Sequence, residues 1–143
     1  MRTSMPIALK VKDVMDKNVF SVDAGATVEE AMKTMLEKKV WSLVVQKDGK
    51  PAGVVTERDM IRRCFGKGLP SKSTPVWTIA SAPLITIAPD TTLRDAMDIM
   101  AGKDVRRLFV VANGRIIGRV TQTDLFQSTL SLLETLSELP DLL

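Results

Sequence analysis

Gly53-Val54-Val55-Thr56-Glu57-Arg58-Asp59 and Gly118-Arg119-Val120-Thr121-Gln122-Thr123-Asp124 are one segment written twice, both reading Gly-x-Val-Thr-x-x-Asp. They lie 65 residues apart, and at that offset residues 14–60 fall on 79–125 without a gap. Thirteen positions are identical, among them Thr27/Thr92, Ala31/Ala96, Met35/Met100, Gly49/Gly114, Gly53/Gly118, Thr56/Thr121 and Asp59/Asp124. Others are conservative, such as Phe20/Ile85 and Val22/Ile87. Self-similarity this long marks a duplicated unit, and two such small units are expected to pack on one another.

Working outward from the segment, each copy reads β-α-β-β-α. A β-branched run, Val19–Val22 or Leu84–Ile87, predicts a buried strand. Thr27-Val28-Glu29-Glu30 is a capping box that opens a helix. Val28, Ala31, Met32, Met35 and Leu36 follow at the spacing of one apolar helix face, matched by Leu93, Ala96, Met97, Met100 and Ala101. The methionines read as core. Asp48-Gly49 and Asn113-Gly114 suit type I′ turns, joining Leu43–Gln46 to Ala52–Val55 and Leu108–Val111 to Ile116–Val120. Second helices start through Thr56 and Thr121; the first stops near Gly66 and the last ends before Pro140. The polar, Pro-containing stretch 67–76 reads as a linker, which divides the chain into repeats over 8–66 and 77–138.

The duplicated segment is also where chemistry is expected. Its glycine lets backbone or ligand approach closely. Its threonine offers a hydroxyl at a helix N-terminus, where free N–H groups and the helix dipole favour anions. Its aspartate, one turn on, can accept two hydrogen bonds from a ribose 2′,3′-diol. Thr at the N-cap with Asp at N3 is equally a serviceable cap that needs no ligand.

Composition narrows the class. The chain of 143 residues holds one Cys and no His, which removes an internal disulfide, His-dependent triads, His metal sites and a His pH switch. Cys64 reads as a small hydrophobe. With no P-loop and no convincing nucleophile, the protein is expected not to be an enzyme. No apolar run reaches the length of a membrane span and residues 1–13 do not look like a signal peptide, so a cytoplasmic protein is expected. Lys plus Arg number 20 against 17 Asp plus Glu, with one local cluster at Arg58, Arg62, Arg63, Lys67 and Lys72. That excess does not by itself indicate nucleic acid.

The duplicated order and its motif resemble the cystathionine-beta-synthase (CBS) domains, which occur in tandem pairs (Bateman modules) and in many members carry G-h-x-[ST]-x-x-[DN]. The resemblance covers about residues 10–135. It implies an α/β (α+β) fold of two βαββα repeats related by a pseudo-two-fold axis, sheets packed together and helices outside. It further implies a regulatory module that binds an adenine nucleotide, AMP, ADP or ATP, with no catalytic cofactor. In nucleotide-binding members the motif Asp holds the ribose, the Ser/Thr lies against ribose and phosphate, and the residue before the Asp often faces phosphate. Each cleft takes its motif from one repeat and part of its wall from the other. One site would combine Thr56, Arg58 and Asp59 with Thr86, Ile87, Thr91, Val105, Arg106 and Arg107. The second would combine Thr121, Thr123 and Asp124 with Ser21, Val22, Ala26, Val40 and Trp41. Arg58 and Arg106 favour the Asp59 site as the tighter, because the other has only Arg119 as a nearby cation.

The resemblance also implies a homodimer, and the exposed apolar residues expected on the last helix fit such a contact. With short flanks and no effector domain, the response is expected to act on a protein in trans or through self-association. Two other readings stay open. One is an RNA- or DNA-binding module using the Arg58–Lys72 cluster with Arg106, Arg107, Arg115 and Arg119, against which stand 4% aromatics and no Tyr. The other is a pair that binds S-adenosylmethionine or a dinucleotide, since an Asp–diol contact reads ribose in all of them.

Overall fold

The computed structural model describes residues 9–81 and 84–139. Residues 1–8, 82–83 and 140–143 lie outside the described residues, and with them the expected first residue of repeat one and part of the expected repeat two.

Two compact units form, and they cut the chain elsewhere than 8–66, 67–76 and 77–138. One comprises residues 18–84; the other joins residues up to 17 with those from 85 onward. In the first, β1 (Ser21–Asp23) runs parallel to β2 (Ser42–Lys47), which pairs antiparallel with β3 (Lys50–Thr56). In the other, β4 (Thr86–Ile87), β5 (Arg107–Ala112) and β6 (Arg115–Thr121) repeat that order. The hairpins turn at Asp48-Gly49 (φ 54 and 76) and Asn113-Gly114 (φ 53 and 75), as the dipeptides require. The leading strands are shorter than Val19–Val22 and Leu84–Ile87 suggest. β1 is a sheet edge with Ser21 and Asp23 exposed and Val22 half-buried against the core, so the strand expected to be buried is not.

Helices α2 (Val28–Lys38) and α4 (Leu93–Lys103) cover the sheets. Val28, Ala31 and Met35 enter one core with Leu43, Val45 and Val55; Leu93, Ala96 and Met100 enter the other with Leu108, Val110 and Val120. The apolar stripe is narrower than its spacing suggests. Leu36 is 70% exposed, and of the methionines expected as core Met97 is exposed. The α2 cap forms as read: Thr27 Oγ1 accepts from Glu30 N at 3.1 Å, and Glu30 Oε1 accepts from Thr27 N at 3.3 Å. Thr27→Ala should cost about 1 kcal/mol and Thr27→Ser much less. Urea unfolding tests this; equal midpoints for the Ala variant and the wild type would contradict it.

The stretch 67–76 is not a free linker. Thr74 and Val76 are buried, and the carbonyls of Thr74 and Ser71 accept the first N–H groups of α2, from Val28 at 2.9 Å and Glu29 at 3.0 Å. These are orphan donors that a helix start must satisfy somewhere. The short helix α1 (Val11–Val14) and its flanks do the equivalent for the other unit: Leu93 N donates to Leu9 O at 3.2 Å, and Val11 N to Thr91 O at 2.8 Å. Isolated bridges tie Lys10 to Thr92 and Pro75 to Thr27, at the same 65-residue offset. The segment that leads into each repeat therefore packs on the unit formed by the other. Lys12 Nζ sits 2.9 Å from Asp90 Oδ1, which lowers the pKa of the carboxyl and raises that of the ammonium. Both are exposed, so this latch is weak and salt-screened. It is present above the ordinary carboxylate range and lost as pH falls through the depressed pKa of Asp90.

The second helices differ. α5 (Gln122–Ser137) is one regular helix, whereas α3 (Glu57–Asp59) passes into a π turn at Met60–Cys64 and a 3₁₀ turn at Phe65–Lys67. Among the described residues no helix is long and apolar enough to cross a membrane.

Candidate functional site

In both copies the duplicated segment ends a strand and starts a helix, and its own residues complete a cap. Asp59 N donates to Thr56 Oγ1 at 3.2 Å, while Asp59 Oδ2 accepts from Thr56 N at 2.9 Å and Thr56 Oγ1 at 3.1 Å. Asp124 N donates to Thr121 Oγ1 at 3.1 Å, and Asp124 Oδ2 accepts from Thr121 N at 3.2 Å. The next donors are taken too: Glu57 N by Trp41 O at 3.2 Å and Gln122 N by Arg106 O at 2.9 Å. These helix starts thus offer fewer free N–H groups to an anion than the sequence suggests.

The glycines have a packing cause. A Cβ on Gly53 would lie 2.6 Å from Ser81 O, because Val54 and Ser81 exchange backbone hydrogen bonds at 2.9 and 2.8 Å. A Cβ on Gly118 would lie 2.5 Å from Met15 Sδ, beside the matching Asp16–Arg119 exchange. Both openings are filled by the lead-in segments.

Asp59 is nearly closed off, at 9% exposure. Among the described residues its second oxygen, Oδ1, has only long contacts: Ser81 Oγ at 3.5 Å and Arg63 Nε at 3.9 Å. Arg63 Nη1 also reaches Ile79 O and Ala80 O, at 3.4 Å each. Ser81 does not stand out in the sequence, and Arg63 stands out only as a member of the basic cluster Arg58–Lys72. Its i,i+4 spacing from Asp59 is the signal that ties it to the motif. Arg58, Thr123 and Trp41 are exposed, the last at 58%.

The expected wall residues divide by unit. Ser21, Val22, Ala26, Val40 and Trp41 share a unit with Thr56, Arg58 and Asp59; Thr86, Ile87, Thr91, Val105, Arg106 and Arg107 share one with Thr121, Thr123 and Asp124. Two of them are core side chains with little surface to offer a base: Val40 is 4% and Ile87 8% exposed, each inside its unit's apolar cluster. Ser21 and Thr86 are exposed, as is Arg106. Arg119, expected as the spare cation near Asp124, is committed to Asp16, Nη2 to Oδ2 at 3.2 Å. Among the described residues no group of three or more His, Cys, Asp and Glu could hold a metal ion.

The CBS domain family model matches the chain twice, over residues 11–66 and 76–130. CBS domain-containing protein YhcV of Bacillus subtilis is 32% identical over 121 residues, covering 85% of this chain and 86% of that protein. An uncharacterized conserved protein from Pyrococcus horikoshii is 33% identical, with a TM-score of 0.75 covering 87% of this chain and 95% of that one. The hexameric CBS-CP12 protein from bloom-forming cyanobacteria is 28% identical at a TM-score of 0.77, covering 85% and 68% respectively. The chain therefore belongs to the CBS-domain family, as a tandem pair of the regulatory kind that typically binds a ligand.

Proposed function

We propose that the pair binds an adenine nucleotide, AMP, ADP or ATP, as a cytoplasmic sensing module, and that Asp59 holds the ribose. The observation that carries this reading is the division of labour at Asp59. Oδ2 is spent on the cap, which fixes the carboxylate, while Oδ1 keeps only contacts of 3.5 Å and longer. A fixed, nearly buried acceptor suits a vicinal diol, because little further ordering is needed when the ligand arrives. Thr56, Arg58 and, at the second motif, Thr121, Thr123 and Asp124 complete the recognition we assign to the duplicated segments. Binding acts by favouring one of two states of the pair, read by a partner in trans or by self-association as a homodimer.

A thermal-shift panel of AMP, ADP, ATP, S-adenosylmethionine and NAD tests this. A ligand at a hundred times its Kd raises apparent stability by about 2.7 kcal/mol if it binds only the native state. A rise with the adenine nucleotides is the expected result. No shift with any adenosine compound sinks the reading, and a shift confined to S-adenosylmethionine or NAD moves it to that ligand. RNA retention that falls steeply with salt and ignores AMP would assign the basic cluster to nucleic acid instead.

A further inference from the structure

The two motifs differ in charge just before the aspartate and in the turn that follows it. Arg58, Arg62 and Arg63 stand where the other copy has Thr123, Gln127 and Ser128. With Glu57 and Asp59 counted, residues 57–63 carry a net charge of +1, while residues 122–128 carry only the −1 of Asp124. The backbone differs at the same place. Residues 60–64 form a π turn, the class closed by i→i+5 bonds, and from within it Arg63 reaches Asp59 Oδ1 at 3.9 Å. Nη1 of Arg63 rests on two carbonyls at 3.4 Å, yet the side chain is 50% exposed. The guanidinium is thus oriented in advance without being used up. Arg58 and Arg62, both ahead of it in sequence, are exposed.

We infer that the turn after Asp59 reads the phosphate chain and that Arg63 is its specificity-determining residue, so this motif prefers di- and triphosphates over AMP. The inference rests on the adenine-nucleotide reading above and adds the phosphate count. Since Glu57 N and Asp59 N are occupied inside the protein, the helix start keeps few N–H groups for added phosphates, and side chains are the stronger donors for them. A planar fork held near the ribose acceptor is the suitable donor for them. The turn after Asp124 offers an amide and hydroxyls, with no cation of its own. A basic pair of that unit, Arg106 and Arg107, sits at the entry to β5, where Arg106 O accepts from Gln122 N at 2.9 Å.

Calorimetry with adenosine, AMP, ADP and ATP on the whole chain, without added metal, tests it. Three partly exposed charge contacts predict ATP about tenfold tighter than AMP, a preference that shrinks with salt. The swap Arg58→Thr/Arg62→Gln/Arg63→Ser, which copies the other turn, should reduce that ratio to about one while adenosine binding persists. Arg63→Lys should keep part of the ratio. If the swap does not fold, Arg58→Thr/Arg62→Gln leaves the carbonyl contacts of Arg63 intact and should lower the ratio partway. A flat series in the wild type, with AMP still binding, overturns the inference but not the adenine reading. A steep series that survives the swap and collapses in Arg106→Ala overturns it as well, by assigning the phosphates to β5. Binding of no adenosine compound removes both.

Discussion

Gly53→Ala should lower stability by about 3 kcal/mol, and Gly118→Ala by about 1 kcal/mol, although the two glycines hold the same place in the duplicated motif. The difference lies in what a methyl group would meet. At Gly53 it meets a backbone carbonyl, Ser81 O at 2.6 Å, with the Trp77 ring at 3.4 Å beside it. Ser81 cannot retreat on its own, because its N–H and C=O are both bonded to Val54. Relief would stretch that exchange, adding lost hydrogen bonds of about 1 kcal/mol each to the overpacking. At Gly118 the obstacle is the thioether of Met15, a flexible side chain that can turn aside. For a protein of this size Gly53→Ala should lower Tm by roughly 10 °C, against a few degrees for Gly118→Ala. Equal losses in a thermal melt would show that the lead-in segments do not set the need for glycine. Gly118→Ala combined with Met15→Ala should recover most of its loss, whereas no side-chain truncation rescues Gly53→Ala.

That contrast marks the boundary between what the residues announce and what only the folded chain reveals. The hairpins, the Thr27 cap and the helix faces are local. Asp48-Gly49 states its own turn, and Thr27 with Glu30 states its own helix start, because each rests on neighbours three residues away or fewer. The exchange of lead-in segments is not local. Lys10, Asp16, Pro75 and Ser81 carry no periodicity, and their bonds run to residues far along the chain, so 67–76 reads as a linker although it caps α2. The π turn is also silent: Met60-Ile61-Arg62-Arg63-Cys64 aligns without a gap to the regular start of α5. At the motif, the Thr–Asp pair was readable both as a cap and as a ligand site. The cap is formed in both copies, and with the carbonyls of Trp41 and Arg106 it occupies two of the N–H groups at each helix start that an anion site was expected to use. What distinguishes the copies is then charge on the following turn, which the sequence displays, and its placement beside Asp59, which it does not.

Asp59→Ala should weaken adenine-nucleotide binding about a hundredfold, and Asp124→Ala should weaken it far less. Two hydrogen bonds to a charged acceptor are worth about 3 kcal/mol together when lost, which is about a hundredfold in Kd. Because the same carboxylate caps the helix, the alanine variant alone would mix two effects. Thr56→Ala removes the hydroxyl of the cap and leaves the carboxylate; it should cost about 1 kcal/mol of stability and little affinity. Asp59→Asn keeps an oxygen of the same reach for the cap and loses the charge, so it should retain most of the stability and still bind poorly. If affinity tracked stability across Thr56→Ala, Asp59→Asn and Asp59→Ala, the motif would be a cap and nothing more, and the ribose contact would fall. If Asp59→Ala and Asp124→Ala lost affinity equally, the ranking of the two motifs would fall while the ribose contact stood. Asp59 is the place to separate them, since one of its oxygens is bound at 2.9 Å by the cap and the other waits beyond 3.4 Å from every donor described around it.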